Sequence, residues 1–183
     1  MKLPSSAVQL APKFWSLVCH PHGIAVDATV GNGHDTLALA RKMKYVYGFD
    51  IQREALKATQ RRLEEAGLNN VNLILDSHGE MARYVPQGVD LVVFNLGYLP
   101  GSNKKIITRG ETTVAGLEAG LGLLNRGGIL TVCVYRGHPG AGEEEAMVDE
   151  FVGGLDQGEC TVLSLSYPNQ RHTPPKLYVI QKK

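Results

Sequence analysis

The sequence predicts an α/β fold: a seven-stranded, mostly parallel sheet with helices on both faces and an antiparallel last strand. Strand-like and helix-like segments alternate along nearly the whole chain. The first strand runs into a turn with two glycines one residue apart, Gly31 and Gly33, and a helix follows at once. The last two strands flank residues 168–176 with no helix between them, so they form a hairpin that reverses the final strand.

Residues 1–22 carry Phe14, Trp15, Leu17 and Val18, an apolar cluster suited to a short helix capping the sheet. The β-branched, apolar run Ile24-Ala25-Val26-Asp27 marks the first strand, over 23–29. Thr36-Leu37-Ala38-Leu39-Ala40 lies in the first crossover helix, over 35–43, which Asp35 or Thr36 is suited to cap. Tyr45-Val46-Tyr47-Gly48-Phe49-Asp50 makes the second strand. The helix over 53–66 stops before Gly67, a residue fitted to the left-handed position that closes a helix. The third strand, 71–75, leads to a helix over 79–84. The fourth, 89–95, precedes a helix over 111–124, and the fifth, 128–135, one over 143–154. Apolar runs at 160–167 and 177–181 close the series. No repeat, low-complexity tract or linker interrupts it, so residues 1–183 read as a single domain.

At 183 residues the chain is long enough to bury a core without staples. A composition of 43% hydrophobic and 20% charged residues is that of an ordinary globular protein, and a net charge of +1 names no partner by itself. The three cysteines, Cys19, Cys133 and Cys160, are far apart and form no C-x-x-C pair, which fits a reducing, cytoplasmic setting. No apolar stretch reaches the roughly 18 residues of a membrane span, so no membrane association is expected. His20 and His22 lack a nearby carboxylate or cysteine cluster, so no metal is expected.

In an open α/β sheet, ligands sit beyond the carboxyl ends of the strands, which gathers the polar segments onto one rim. The first strand brings Asp27, Gly31, Asn32 and Gly33, with Asp35 and Thr36 opening the helix. The second brings Asp50, Ile51 and Gln52, and the third Asp76, Ser77 and His78. The small turn residues let the backbone approach a cofactor closely. Asp50 can accept both hydroxyl hydrogens of a ribose, although an ordinary strand-end turn uses the same residue type. Asp76 or Ser77 can meet an adenine edge and Ile51 its face. Asn32 and the turn amides suit the amino-acid end. Thr36 stands where the dinucleotide fingerprint has its third glycine. With Asp27 leading into the turn, that departure points from NAD to S-adenosylmethionine, which has no pyrophosphate to seat.

The fourth strand runs into Asn95-Leu96-Gly97-Tyr98-Leu99-Pro100-Gly101, which resembles the N-P-P-Y loop of amino-group methyltransferases with Leu96 and Gly97 in place of the prolines. The amide oxygen of Asn95, or a nearby carbonyl, can accept an N–H and aim the nitrogen lone pair. Methyl transfer from a sulfonium needs in-line alignment at roughly 3–3.5 Å more than a strong acid or base. An aliphatic amine must also be neutral, which a desolvated pocket favours. The alternative is that this segment only shapes a turn, with Tyr98 in the core. After the fifth strand, Tyr135-Arg136-Gly137-His138-Pro139-Gly140 offers His138 as a proton acceptor or as a loop-shaping residue. Lys104, Lys105, Arg109, Arg136, Arg171 and His172 fall beside the same mouth, as a phosphate backbone requires. Tyr98 and Tyr135 offer faces for an unpaired base, with Gly97, Leu99 and Pro100 completing the substrate side.

Taken in order, Asp27-Ala28-Thr29-Val30-Gly31-Asn32-Gly33-His34-Asp35-Thr36, Asp76-Ser77-His78, the loop over 95–101, the loop over 135–140 and Pro174-Pro175 resemble the small bacterial proteins labelled rRNA methylases. That family includes the MnmM-type tRNA wobble-uridine methyltransferases. The resemblance runs from about Gly23 onward. It implies a Rossmann-like class I methyltransferase that uses S-adenosylmethionine, with cofactor contacts at Asn32, Asp50, Gln52, Ser77 and His78. It implies a tRNA anticodon stem-loop as partner, the aminomethyl nitrogen of wobble 5-aminomethyl-2-thiouridine as target, and a homodimer. A wobble base is already unpaired, so little unstacking energy is needed to bring it into a pocket. Other readings are methylation of an rRNA base or a small-molecule amine, and a noncatalytic RNA-binding module on the same fold. A nicotinamide oxidoreductase is disfavoured by Thr36.

Overall fold

The computed structural model describes residues 3–97, 110–136, 141–171 and 173–183. Helix α1 (Ala7–Trp15) precedes strand β1 (Ile24–Asp27), followed by α2 (His34–Ala40), β2 (Tyr45–Asp50), α3 (Arg53–Glu65) and β3 (Val71–Leu75). A 3₁₀ helix (His78–Arg83) leads to β4 (Val89–Asn95), α4 (Gly110–Leu123), β5 (Leu124–Val134), α5 (Ala141–Gly153), β6 (Cys160–Leu165) and β7 (Lys176–Lys182). The strands form one seven-stranded sheet in the order β3-β2-β1-β4-β5-β7-β6. β1 to β5 pair in parallel, and β7 is antiparallel to both its neighbours, as the terminal hairpin predicts.

Each face of the sheet has its own apolar layer, because successive strand side chains point to opposite sides. Leu91 and Val93 of β4 pack with Ala11, Trp15, Leu39 and Leu63 from α1, α2 and α3. Val92 and Phe94 of the same strand join Met81, Leu117 and Val148 from the 3₁₀ helix, α4 and α5. Burial on both faces is why residues 91–94 of β4 read as a continuous apolar run. α1 is pinned by Trp15, whose indole N–H donates to the Thr131 hydroxyl at 2.9 Å inside the core.

Gly67 adopts φ 67°. Its N–H reaches the Glu64 carbonyl and that of Leu68 the Leu63 carbonyl, the paired bonds that close a helix end. Three details depart from the sequence reading. α2 starts at His34 behind Gly33, which has φ 75°, and neither Asp35 nor Thr36 caps it, because each side chain bonds elsewhere. The segment between β3 and β4 closes as a 3₁₀ turn. β5 begins at Leu124, directly after α4, with a register shift between Val89 and Leu91 absorbing the early start.

Candidate functional site

The strand order reverses direction between β1 and β4, and an open α/β sheet presents its ligand crevice at such a point. Asp27 ends β1 and Asn95 ends β4, so both stand at this crevice.

Asp27 is 1% exposed. Its Oδ2 accepts the Thr36 hydroxyl at 2.6 Å and its Oδ1 the Thr29 amide at 3.2 Å. Burial, reinforced by the nearby charge of Asp35, pushes its pKa up to about 7 against those two hydrogen bonds. Asp27 and Thr36 therefore shape the turn from beneath. At its open side, Asp50 accepts the Gly31 amide at 2.9 Å and the Gln52 amide at 2.8 Å. Burial raises the Asp50 pKa, and the backbone N–H groups of Gln52, Gly31 and Ile51 oppose the rise. Ile51 is 59% exposed beside it.

α3 supports the turn from the side. The Thr59 hydroxyl donates to the Gly31 carbonyl at 3.2 Å, and Arg62 Nε donates to the Asn32 carbonyl at 3.0 Å. A Cβ on Gly33 would lie 2.5 Å from Thr59 Oγ1, so only glycine fits there. Sequence reasoning missed Thr59 and Arg62, which belong to no motif; a buried hydroxyl on the inner face of α3 is the one signal pointing to them.

Beyond β3, Asp76 accepts the Ser77 amide at 2.8 Å and the Tyr84 hydroxyl at 2.6 Å. The Tyr84 hydroxyl holds the Asp76 carboxyl below its ordinary range. Ser77 caps the 3₁₀ helix through its hydroxyl, which accepts the Gly79 amide at 3.2 Å. His78 is buried edge-on to Phe94, and a Cβ on Gly116 would meet it at 2.6 Å. Burial lowers its pKa.

Asn95 is fixed at two points. Its backbone N–H donates to the Thr29 hydroxyl at 2.7 Å, and its Nδ2 donates to Asp35 Oδ2 at 2.9 Å. The remaining amide atom, Oδ1, is buried with no hydrogen-bond partner among the described residues. Burial raises the Asp35 pKa, opposed by the Asn95 hydrogen bond and by His34.

On the β5 side, Gly97 has φ 134°, and its missing Cβ would sit 3.6 Å from Tyr135, so these two expected substrate residues are neighbours. Arg136 lies on the same rim but is ion-paired, its Nε 2.9 Å from Glu145 Oε2. Lys176, opposite Val134 in the ladder, pairs with Asp149 at 2.8 Å. Arg171 is exposed in the β6–β7 loop, which is tied to the N-terminal segment through Tyr167 to the Pro4 carbonyl and Gln170 to the Ser5 carbonyl. Tyr98, Leu99, Pro100, Lys104, Lys105, Arg109, His138 and His172 lie outside the described residues. Among the described residues, no group of His, Cys, Asp or Glu could hold a metal ion, and no helix is long and apolar enough to cross a membrane.

The chain matches the family described as "Putative rRNA methylase" over residues 46–181. It is 35% identical, over 96% of its length and 69% of the relative's, to the chloroplastic tRNA (mnm(5)s(2)U34)-methyltransferase of Arabidopsis thaliana. Among solved structures, a "putative methyltransferase" from Streptococcus mutans in complex with SAH is 39% identical, with TM-score 0.94 over 99% of this chain and 100% of that one. An rRNA methylase from Streptococcus thermophilus is 35% identical, with TM-score 0.86 over 99% of both chains.

Proposed function

This chain belongs to the rRNA methylase family, and from that premise we propose that it methylates the aminomethyl nitrogen of 5-aminomethyl-2-thiouridine at a tRNA wobble position. The protein is a class I methyltransferase dependent on S-adenosylmethionine. When bound, that cofactor supplies an electrophilic methyl group on a sulfonium, and the S. mutans relative holds SAH, the form left after transfer.

The rim fits the cofactor. Asp50 would hold the ribose hydroxyls while its amide contacts keep the turn closed, and the exposed Ile51 would cover the adenine face. Asp76 and Ser77 would meet the adenine edge beside His78, and Asn32 with the turn amides the amino-acid end. Gln52, whose own amide is held by Asp50, lies next to the ribose position.

The observation that carries the nitrogen target is Asn95 Oδ1, a buried acceptor without a partner among the described residues. A buried unpaired oxygen costs about 1–3 kcal/mol unless a ligand donor meets it, and an amine N–H is such a donor. That contact would turn the nitrogen lone pair away from Asn95, toward the cofactor methyl. Gly97 and Tyr135 would flank the base, with Tyr98 offering a further face for it and His138 a proton acceptor. The anticodon stem-loop, a homodimer and a cytoplasmic setting belong to the same proposal. Nucleoside mass spectrometry of tRNA from cells lacking the protein tests it. Accumulation of the unmethylated aminomethyl nucleoside, reversed by restoring the gene, is expected. Label from the methyl donor confined to rRNA, or to a small amine, would end the assignment.

A further inference from the structure

We propose that Asp35 is a positioning residue for the transfer, setting which end of the Asn95 amide faces the reacting nitrogen. The proposal rests on the reading of Asn95 given above. An asparagine amide has two ends of nearly equal shape and opposite polarity. A half-turn of the amide would aim an N–H at the amine lone pair and occupy the electrons that must attack carbon. Something must therefore choose the end. An ionised carboxylate only accepts hydrogen bonds, so Asp35 Oδ2 at 2.9 Å can be met only by Nδ2. Oδ1 is left facing away from Asp35, buried and without a hydrogen-bond partner among the described residues. The Thr29 hydroxyl, 2.7 Å from the Asn95 backbone nitrogen, holds the backbone from which that amide projects.

The supports share an origin. Thr29 precedes the glycine turn and Asp35 follows it, on α2, while Asp27 beneath holds Thr29 and Thr36 together. The segment that would cradle the cofactor thus also fixes the amide that would meet the substrate. A misplacement of about 1 Å at such a site can cost on the order of 100-fold in rate.

The test compares Asp35→Asn, Asn95→Asp and the two combined, measuring SAH affinity by calorimetry and methyl transfer to tRNA from cells lacking the protein. Asp35→Asn removes the polarity that selects the amide end, and Asn95→Asp sets two carboxylates against each other. Each single change should lower kcat by about 10–100-fold with SAH affinity unchanged, which also shows that the variant folds. The reciprocal exchange restores one carboxylate and one amide across the gap and should recover most of the rate. An unchanged kcat in Asp35→Asn, a matching loss of SAH affinity, or no recovery in the double variant would overturn the role. Asn95→Ala separates the two claims. If it leaves turnover intact, the reading of Asn95 fails; if it alone is slow while Asp35→Asn is normal, only the positioning role fails.

Discussion

The Asp50 carboxylate accepts the Gly31 amide at 2.9 Å, tying the end of β2 to the turn that follows β1. One side chain thereby holds the turn shut, and in the proposed function it would also grip the ribose. Asp50→Ala should weaken SAH binding by about 10–100-fold, the loss expected for hydrogen bonds to a charged group. Asn95→Ala should instead lower kcat with affinity kept. Calorimetry beside initial rates distinguishes them, and equal loss of affinity in both would contradict the assigned roles.

Gly33 faces Thr59 with φ 75° and no room for a methyl group. Gly33→Ala combines left-handed strain with overpacking, together about 2–5 kcal/mol. A fall in Tm of roughly 5–15 °C is expected. Adding Thr59→Ala should return the overpacking part and leave the backbone part. A double variant no better than the single would show that crowding is not the cause.

Asp27 makes stability depend on pH. Its folded pKa of about 7 lies above the ordinary 3.8. Between those values the folded chain holds a proton that the unfolded chain has released. Unfolding free energy therefore falls as pH rises through that window, by at most about 4 kcal/mol. Asp27→Asn removes the titration. In urea melts at pH 5 and pH 8, wild type should lose more stability than the variant over that interval; parallel losses would remove Asp27 as the source.

Arg171 is exposed, whereas Arg136 is engaged with Glu145. If RNA lies along this rim, Arg171→Ala should reduce the slope of log affinity against log salt by about 0.7–0.9. Arg136→Ala should change it less, because the guanidinium is already partly neutralised. Filter binding of a tRNA across a salt series reads both, and an unchanged slope for Arg171→Ala takes it out of the interface.

The sheet is legible in the sequence because each strand carries its own signature. Double burial makes the centre of β4, residues 91–94, continuously apolar, and the missing helix before β7 announces its reversal. The rim is legible for a related reason: strand ends in a parallel sheet share one edge. Periodicity does not reveal which side chain a polar group will find across the fold. Asp35 and Asn95 are separated by 60 positions, and Asp35 looks like a helix cap because short acids usually turn back on free amides. Partners distant in sequence win over that local bond for both Asp35 and Thr36. Thr59 and Arg62 are hidden differently: on a helix they read as one core-edge residue and one surface charge, yet both hold carbonyls of the glycine turn.

Trp15 is the sole tryptophan of the chain, and its indole reaches Thr131 from a helix that precedes the whole sheet. Nature has therefore installed one tryptophan reporter, and it sits where α1 meets the sheet. A red shift in intrinsic emission signals that the contact between α1 and the sheet has opened. Followed beside far-ultraviolet dichroism, that signal dates the detachment of the first fifteen or so residues relative to collapse of the β-structure.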